Sequence, residues 1–463
     1  MKLLFSLALV MSLTAAESPE AVLRRALTTK TGSVNLPVGI IEISREITLP
    51  PDAHDLDIRG SGTTIKASDV FRGRALIAIP AGRNIRIRDL TLDGNRDAVG
   101  HIVSLPPSGT MLSRFVGANG IVAEGVTGLE IGPLKEVHIA GFAILVNSSH
   151  NIQIHHVDVT ESGGFNAQRR NGATGGIALE EGTTDFQIHG CLLGTIRGTG
   201  ITIRSSERGK IYENEFRAVS RDAIHVTQGS GIAIDNNHAE QIGIPLEEVD
   251  AGGALCMRLD RFNGGQITGN TCSEALLGAV SIAGAQNKIN GNHFTGLNVS
   301  RRDSPGIFLA SGAKDITIEN NEISGNGMSL HCVGAAPDVA AGANKVLKND
   351  CSDEASVAVL RNWKTPIPVI FLPSISKVSK TAGVSRQVIR QGLRELAQAP
   401  THPAGRIRRP GGGRKSAPAE RSGTNRGTGE TGRASHARQS GVVFTLDQQE
   451  RTETGRGVGV HGA

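Results

Sequence analysis

The chain repeats itself. GIALEEGTTDFQIHGCLL from Gly176, GITIRSSERGKIYENEF from Gly200 and AIHVTQGSGIAIDNNHA from Ala223 align with one another. So do ALCMRLDRFNGGQITGNTC from Ala254, AVSIAGAQNKINGNHF from Ala279 and GIFLASGAKDITIENNEI from Gly306. Fainter copies lie upstream, in AILVNSSHNIQIHHVDV from Ala143 and NIRIRDLTLDGN from Asn84. Self-similarity at roughly twenty to thirty residues means stacked structural units. Each copy holds two short alternating runs, and alternation with period two means strands with one buried face. No helix-length apolar pattern separates the runs. Each rung therefore pairs in parallel with the next, about 4.8 Å away, which describes a parallel β-helix.

Other features agree. The 463 residues include 59 Gly, one Trp and one Tyr, a composition for small side chains at many tight turns. Asn214, Asn237, Asn270, Asn292 and Asn321 recur at one turn, where stacked amides can hydrogen-bond along the axis. The segment SPEAVLRRALTT from Ser18 reads as a short amphipathic helix, and NLPVGIIEISREITLP from Asn35 as a first rung. Cys272 and Cys351 follow ladder asparagines by two, in a core-facing column with Phe216 and Phe294, whereas Cys256 is expected to face outward. Cys332 and Cys351 are candidates for a bridge. Five cysteines leave at least one unpaired within the chain.

The ends differ from the body. Residues 1–16, MKLLFSLALVMSLTAA, have a charged start, a short apolar run and small residues before Glu17, the layout of a secretory signal peptide. The expectation is an exported protein, periplasmic or secreted, with no membrane span after signal removal. The net charge of +5 conceals an asymmetry, because residues 374–463 carry +10 and the remainder −5.

The repeat resembles the pectin-lyase-like right-handed parallel β-helix superfamily over about 34–361. The resemblance implies an all-β solenoid over residues 17–361 with an N-terminal capping helix. It also implies a substrate groove on the outer face of the first strand of each rung. In that strand the third positions, Ala178, Thr202, His225, Cys256 and Ser281, are expected to point outward. So are the fifth, Glu180, Arg204, Thr227, Arg258 and Ala283, with Glu124 and Asn147 added upstream. Insertions at 163–175, 243–252 and 298–305 interrupt the period before that strand, and such loops often mark a binding face.

These positions suit an acidic polysaccharide. Arg204, Arg258 and Asp260 are the candidate substrate-binding residues, since arginine grips carboxylates bidentately. Asp222, His225 and Glu180 are the candidate catalytic residues for acid–base chemistry. Two carboxylates would serve hydrolysis. A lyase would use a base, with Ca²⁺ or another group neutralising the uronate; otherwise no cofactor is called for. The segment SRDAIHV from Ser220 resembles the polygalacturonases only at Asp222. Arg221 stands where that family has a second Asp, Gly198-Thr199-Gly200 replaces its Asn-Thr-Asp run, and its Gly-His-Gly and Arg-x-Lys patterns are missing. The mannuronan epimerases' Asp-Pro-His-Asp run is missing too. The competing reading is a non-catalytic β-helix that binds glycan or serves as a scaffold, with Glu180 and Arg204 a simple cross-strand pair.

The repeat ends near Arg361, and residues 362–373 form a junction. SISKVSKTAGVSRQVIRQGLREL from Ser374 has the spacing of a helix-turn-helix over 374–398. With THPAGRIRRPGGGRKSAP it resembles, from Ser374 to Lys415, the N-terminal part of transposases of a widespread bacterial insertion-sequence family. Read one base out of frame, Thr428–Ala434 and Leu446–Val458 can encode helix-like continuations of that family. The expectation is an insertion sequence landed in a β-helix gene, with 399–463 a disordered basic tail. Nucleic-acid binding is then not expected of the exported protein. DNA sequence across the tail whose shifted frame encodes no transposase would sink this idea.

Overall fold

The computed structural model describes residues 17–100, 110–164, 174–243, 254–299, 304–325, 331–340, 344–351 and 360–362. The signal-like residues 1–16, the helix-turn-helix at 374–398 and the tail at 399–463 lie outside these. So do the interiors of the three insertions and all of the junction except Asn362. The described body is a right-handed parallel β-helix, every strand pairing in parallel with its counterpart one rung on.

Each central rung has three strands. In one rung these are Ile177–Glu180, Thr184–His189 and Leu192–Ile196. The third strand, only two to five residues long, escaped the alternation pattern because so short a run carries no period. The second strands stack one isoleucine per rung: Ile58, Ile87, Ile131, Ile154, Ile188, Ile211, Ile234, Ile267, Ile289 and Ile318 face each other in register. All are fully buried, and each contributes about 1.5–3 kcal/mol of hydrophobic stabilisation. The helix Pro19–Ala26 closes the first rung. Its Ser18 hydroxyl caps the Ala21 N–H, and Leu23 and Leu27 are buried against the core.

The turn between second and third strands carries the asparagine ladder, which runs beyond the expected five to Asn349. Each ladder amide Oδ1 accepts the backbone N–H and the Nδ2–H of the preceding ladder asparagine, at 2.8–3.1 Å. Glu213, Asn236, Gly269, Gly291, Asn320 and Lys348, just before the ladder residues, all have φ between 51 and 64°. That left-handed corner lets a two-residue turn reverse the chain. The upstream end of the ladder is Cys191, whose N–H donates to Asn214 Oδ1.

Cys191 is buried and unpaired, and burial pushes its thiol up to about 12, so it acts as an apolar filler. Cys332 and Cys351, the candidate pair, are joined. Cys256 is not outward-facing: it is buried and bonded to Cys272 across the core. Cys256 precedes the strand Met257–Leu259, so strand alternation does not reach it.

One core residue breaks the pattern. Glu136 occupies the inward column between Leu92 and Val159, fully buried, and neither carboxyl oxygen has a hydrogen-bond partner among the described residues. Gly120 makes room for it, since a Cβ there would lie 1.8 Å from Oε2. Burial alone pushes its pKa well above the ordinary glutamate value. At low pH both folded and unfolded chains are protonated there. Above the ordinary value, about 4.3, only the unfolded chain ionises, and stability falls as pH rises towards the folded pKa. Glu136→Leu is therefore expected to raise unfolding stability at pH 7 by about 2 kcal/mol and to remove that slope. Urea melts between pH 4 and 8 check this, and parallel profiles for the two proteins would refute it.

Candidate active site on the outer face of the first strands

The outward column of the first strands changes character along the axis. Ala78, Val122, Leu145, Ala178, Thr202, His225, Arg258, Ser281 and Phe308 face one another rung by rung. The first four are apolar and buried although they point away from the main core. Val122, Leu145 and Ala178 form a second small core with Ala75, Leu112, Val116 and Phe142. The segment from Thr110 to Ala118, with its short helix Leu112–Phe115, lies over them. From Thr202 onward the column is mostly polar.

Glu180 fastens that cover. Its carboxylate accepts the backbone N–H groups of Leu112 and Ser113, both at 2.8 Å, and is completely buried. Arg204 donates to Glu180 Oε2 at 3.4 Å and to the Thr110 carbonyl at 3.2 Å. Asn147, beside Glu180, donates to the Ser113 hydroxyl. Glu180 and Arg204 thus sit on adjacent rungs, as the sequence implied, and both clasp the covering segment.

The remaining four candidates converge on the next two rungs. His225 Nε2 lies 3.1 Å from Asp260 Oδ2, with about a quarter of the imidazole and half of the carboxylate accessible. Asp222 Oδ1 accepts the Leu255 N–H at 2.9 Å, and Oδ2 accepts Arg258 Nε at 2.9 Å. The Asp222 carboxylate beside Arg258 holds that guanidinium above its usual range. Arg258 stands directly opposite His225 rather than opposite Thr227, because the Ala254 copy aligns two residues away from its sequence match. A bulge at Arg204 also places it opposite Gln228.

Sequence reasoning passed over Arg221, reading it only as a missing aspartate. It is half-buried; its backbone N–H donates to the Gly198 carbonyl, while its guanidinium has no hydrogen bond or ion pair among the described residues. Burial lowers its pKa against the attraction of Asp222, and the nearby charge of Arg258 lowers it further. A cation this close to another cation, with the intervening carboxylate already spent, suits a ligand anion. Its position immediately before Asp222 was the available signal.

The outer face of the second strands carries a different cluster. Tyr212, His189 and His155 stack in a row, with ring centroids 4.7 and 5.5 Å apart. Beside them a groove of about 300 Å³ is lined by Asp57, Arg86, Glu130 and Gln153 among others. Its charges are mutually paired: Arg88 and Arg59 hold the Asp57 carboxyl down at about 2, and Glu130 contacts Arg86 and His155. Among the described residues no three His, Cys, Asp or Glu side chains are placed to hold a metal ion. The donor N–H groups on Asp222 and Glu180 make a poor fit to Ca²⁺, which requires converging free oxygens.

Fold and site together define a right-handed β-helix repeat protein with a charged patch on the outer face of its first strands. The family model described as right handed beta helix region matches residues 142–351. No curated protein sequence matches the chain. Solved structures with the same fold include PfbA, a surface adhesin of Streptococcus pneumoniae, with 13% identity, a TM-score of 0.53, and 75% of this chain and 86% of that one covered. The DFA-IIIase of Arthrobacter chlorophenolicus A6 shares 13% identity with a TM-score of 0.46 over 76% of this chain and 96% of that one. ORF18 of Geobacillus virus E2 shares 11% with a TM-score of 0.42, over 70% of this chain and only 55% of its own length.

Proposed function

We propose that this protein is an exported polysaccharide lyase acting on an acidic glycan. The observation that carries the reading is the His225–Asp260 contact, set in register with Arg258 and next to Arg221. Asp260 orients the imidazole so that its other nitrogen can take a proton. In β-elimination that proton comes from the carbon next to the uronate carboxylate. The electron pair left behind forms the new C=C bond, and the glycosidic oxygen departs with its bonding pair and acquires a proton. Arg258 and Arg221 neutralise the carboxylate and so stabilise the charge that develops on it.

Hydrolysis fits this geometry less well. It requires one carboxylic acid to protonate the leaving group and one carboxylate to attack or activate water. Glu180 is buried under N–H donors, and both Asp222 oxygens are engaged by Leu255 and Arg258. A second reading, a glycan-binding module without chemistry, is favoured by one fact: the acidic groups of the patch each have a partner.

The test incubates the protein with a panel of acidic and neutral polysaccharides, with and without Ca²⁺. Both unsaturated ends, by ultraviolet absorbance, and new reducing ends are followed. Unsaturated ends are expected. Reducing ends without unsaturation would overturn the lyase in favour of a hydrolase, and glycan binding without either product would establish the module.

A further inference from the structure

The covering segment sets where a polymer can lie. The groove expected along the first strands is blocked on three successive rungs, those of Val122, Leu145 and Ala178. The block is not a loose loop. It is held by the two N–H bonds to Glu180, the Asn147–Ser113 bond, the Arg204–Thr110 bond and the apolar contacts of Leu112 and Val116. It ends at Arg204, which touches it from the rung of Thr202. Only that one rung separates the wall from His225. A rung is about 4.8 Å deep, close to the length of one sugar residue in an extended chain.

We infer that residues 110–118 form a fixed wall that makes this site accept a chain end. A glycan lying along the axis with its scissile bond at His225 has space for one or two sugars on the wall side. The protein therefore removes short units from one end of its substrate and does not cut within long chains. Glu180 is a positioning residue in this arrangement: it acts through the segment it fastens.

The inference rests on the lyase reading, and the experiment separates the two. A long acidic polysaccharide that the protein degrades is followed by product sizing and by viscosity. Mono- or disaccharides are expected from the earliest time points, with viscosity falling slowly. A broad ladder of oligosaccharides at low conversion, with rapid loss of viscosity, would overturn the wall while leaving the lyase intact. Absence of turnover across the whole panel, from protein folded by circular dichroism, would overturn the lyase reading and this inference with it. Glu180→Gln supplies the second arm. Loss of one N–H acceptor and of the charge facing Arg204 should loosen the wall and shift early products to at least twofold greater mean length. Turnover lowered at least a hundredfold, with the lengths of the remaining products unchanged, would instead make Glu180 a catalytic acid and overturn its positioning role.

Discussion

His225→Ala lowers kcat on a cleaved acidic polysaccharide by about 10²–10⁴-fold, the usual worth of a placed general base. The imidazole is the one group of the site that combines a proton-accepting nitrogen, partial exposure and an orienting carboxylate. Two further variants divide the roles. Asp260→Asn keeps the ring but exchanges the carboxylate contact, so it should reduce kcat by less than His225→Ala and leave KM nearly unchanged. Arg258→Lys keeps a charge but loses the forked donors, and it should raise KM for the uronic substrate. It also disturbs Asp222, so retention of the native far-ultraviolet spectrum is the control. His225→Ala with activity within threefold of wild type would remove the base from the mechanism.

Asn270→Ala is expected to destabilise the solenoid by about 3–5 kcal/mol, because it strands several buried polar groups at once. Asn270 is completely buried. Its Oδ1 satisfies both the backbone N–H and the Nδ2–H of Asn237, each at 2.9 Å. Its own Nδ2 satisfies the Ile234 and Thr268 carbonyls and reaches Asn292. Alanine returns none of these bonds, and it leaves the Asn237 and Asn292 amides on either side without their shared partner. Gln266→Ala, at an exposed strand position one turn earlier, should change stability by no more than about 0.5 kcal/mol. Urea midpoints compare the two, and hydrogen exchange at the Asn237 amide reports the local effect. A loss under 1 kcal/mol at Asn270 would mean that the ladder is a consequence of the turn and not a support for it.

The same residues show how far the sequence could be read. The isoleucine of each second strand recurs with its flanking alternation, and a recurring apolar residue has one stable destination in a stack of parallel strands. The ladder asparagines were legible for a related reason: a polar residue fixed beside a core strand needs a partner, and the next rung offers an identical one. Register failed at Ala254, where two nearly equivalent alignments differ by two residues. A two-residue slip keeps the same face, so the hydrophobic pattern does not penalise it. That slip moved Arg258 away from His225 and placed Cys256 inside a strand that begins only at Met257.

Other features had no local signature. Glu136 reads as an ordinary strand glutamate, and nothing nearby in sequence announces that it faces the core. The wall of residues 110–118 contacts Glu180 and Arg204, which lie 67 to 94 residues further along the chain. Alternation alone would have left Val122, Leu145 and Ala178 on a solvent face, and only their apolar character hinted at a cover.

Sequence by itself determined the solenoid, its strand faces and its ladder, because each depends on a period that one chain repeats against itself. Tertiary structure decided which outward residues meet, since Glu180 became a clasp, Asp222 became the partner of Arg258, and His225 and Asp260 together retained accessible acid–base groups. Those assignments depend on contacts between segments with no shared period, and such contacts are fixed only when the rungs are stacked and the inserted segment has found its place upon them.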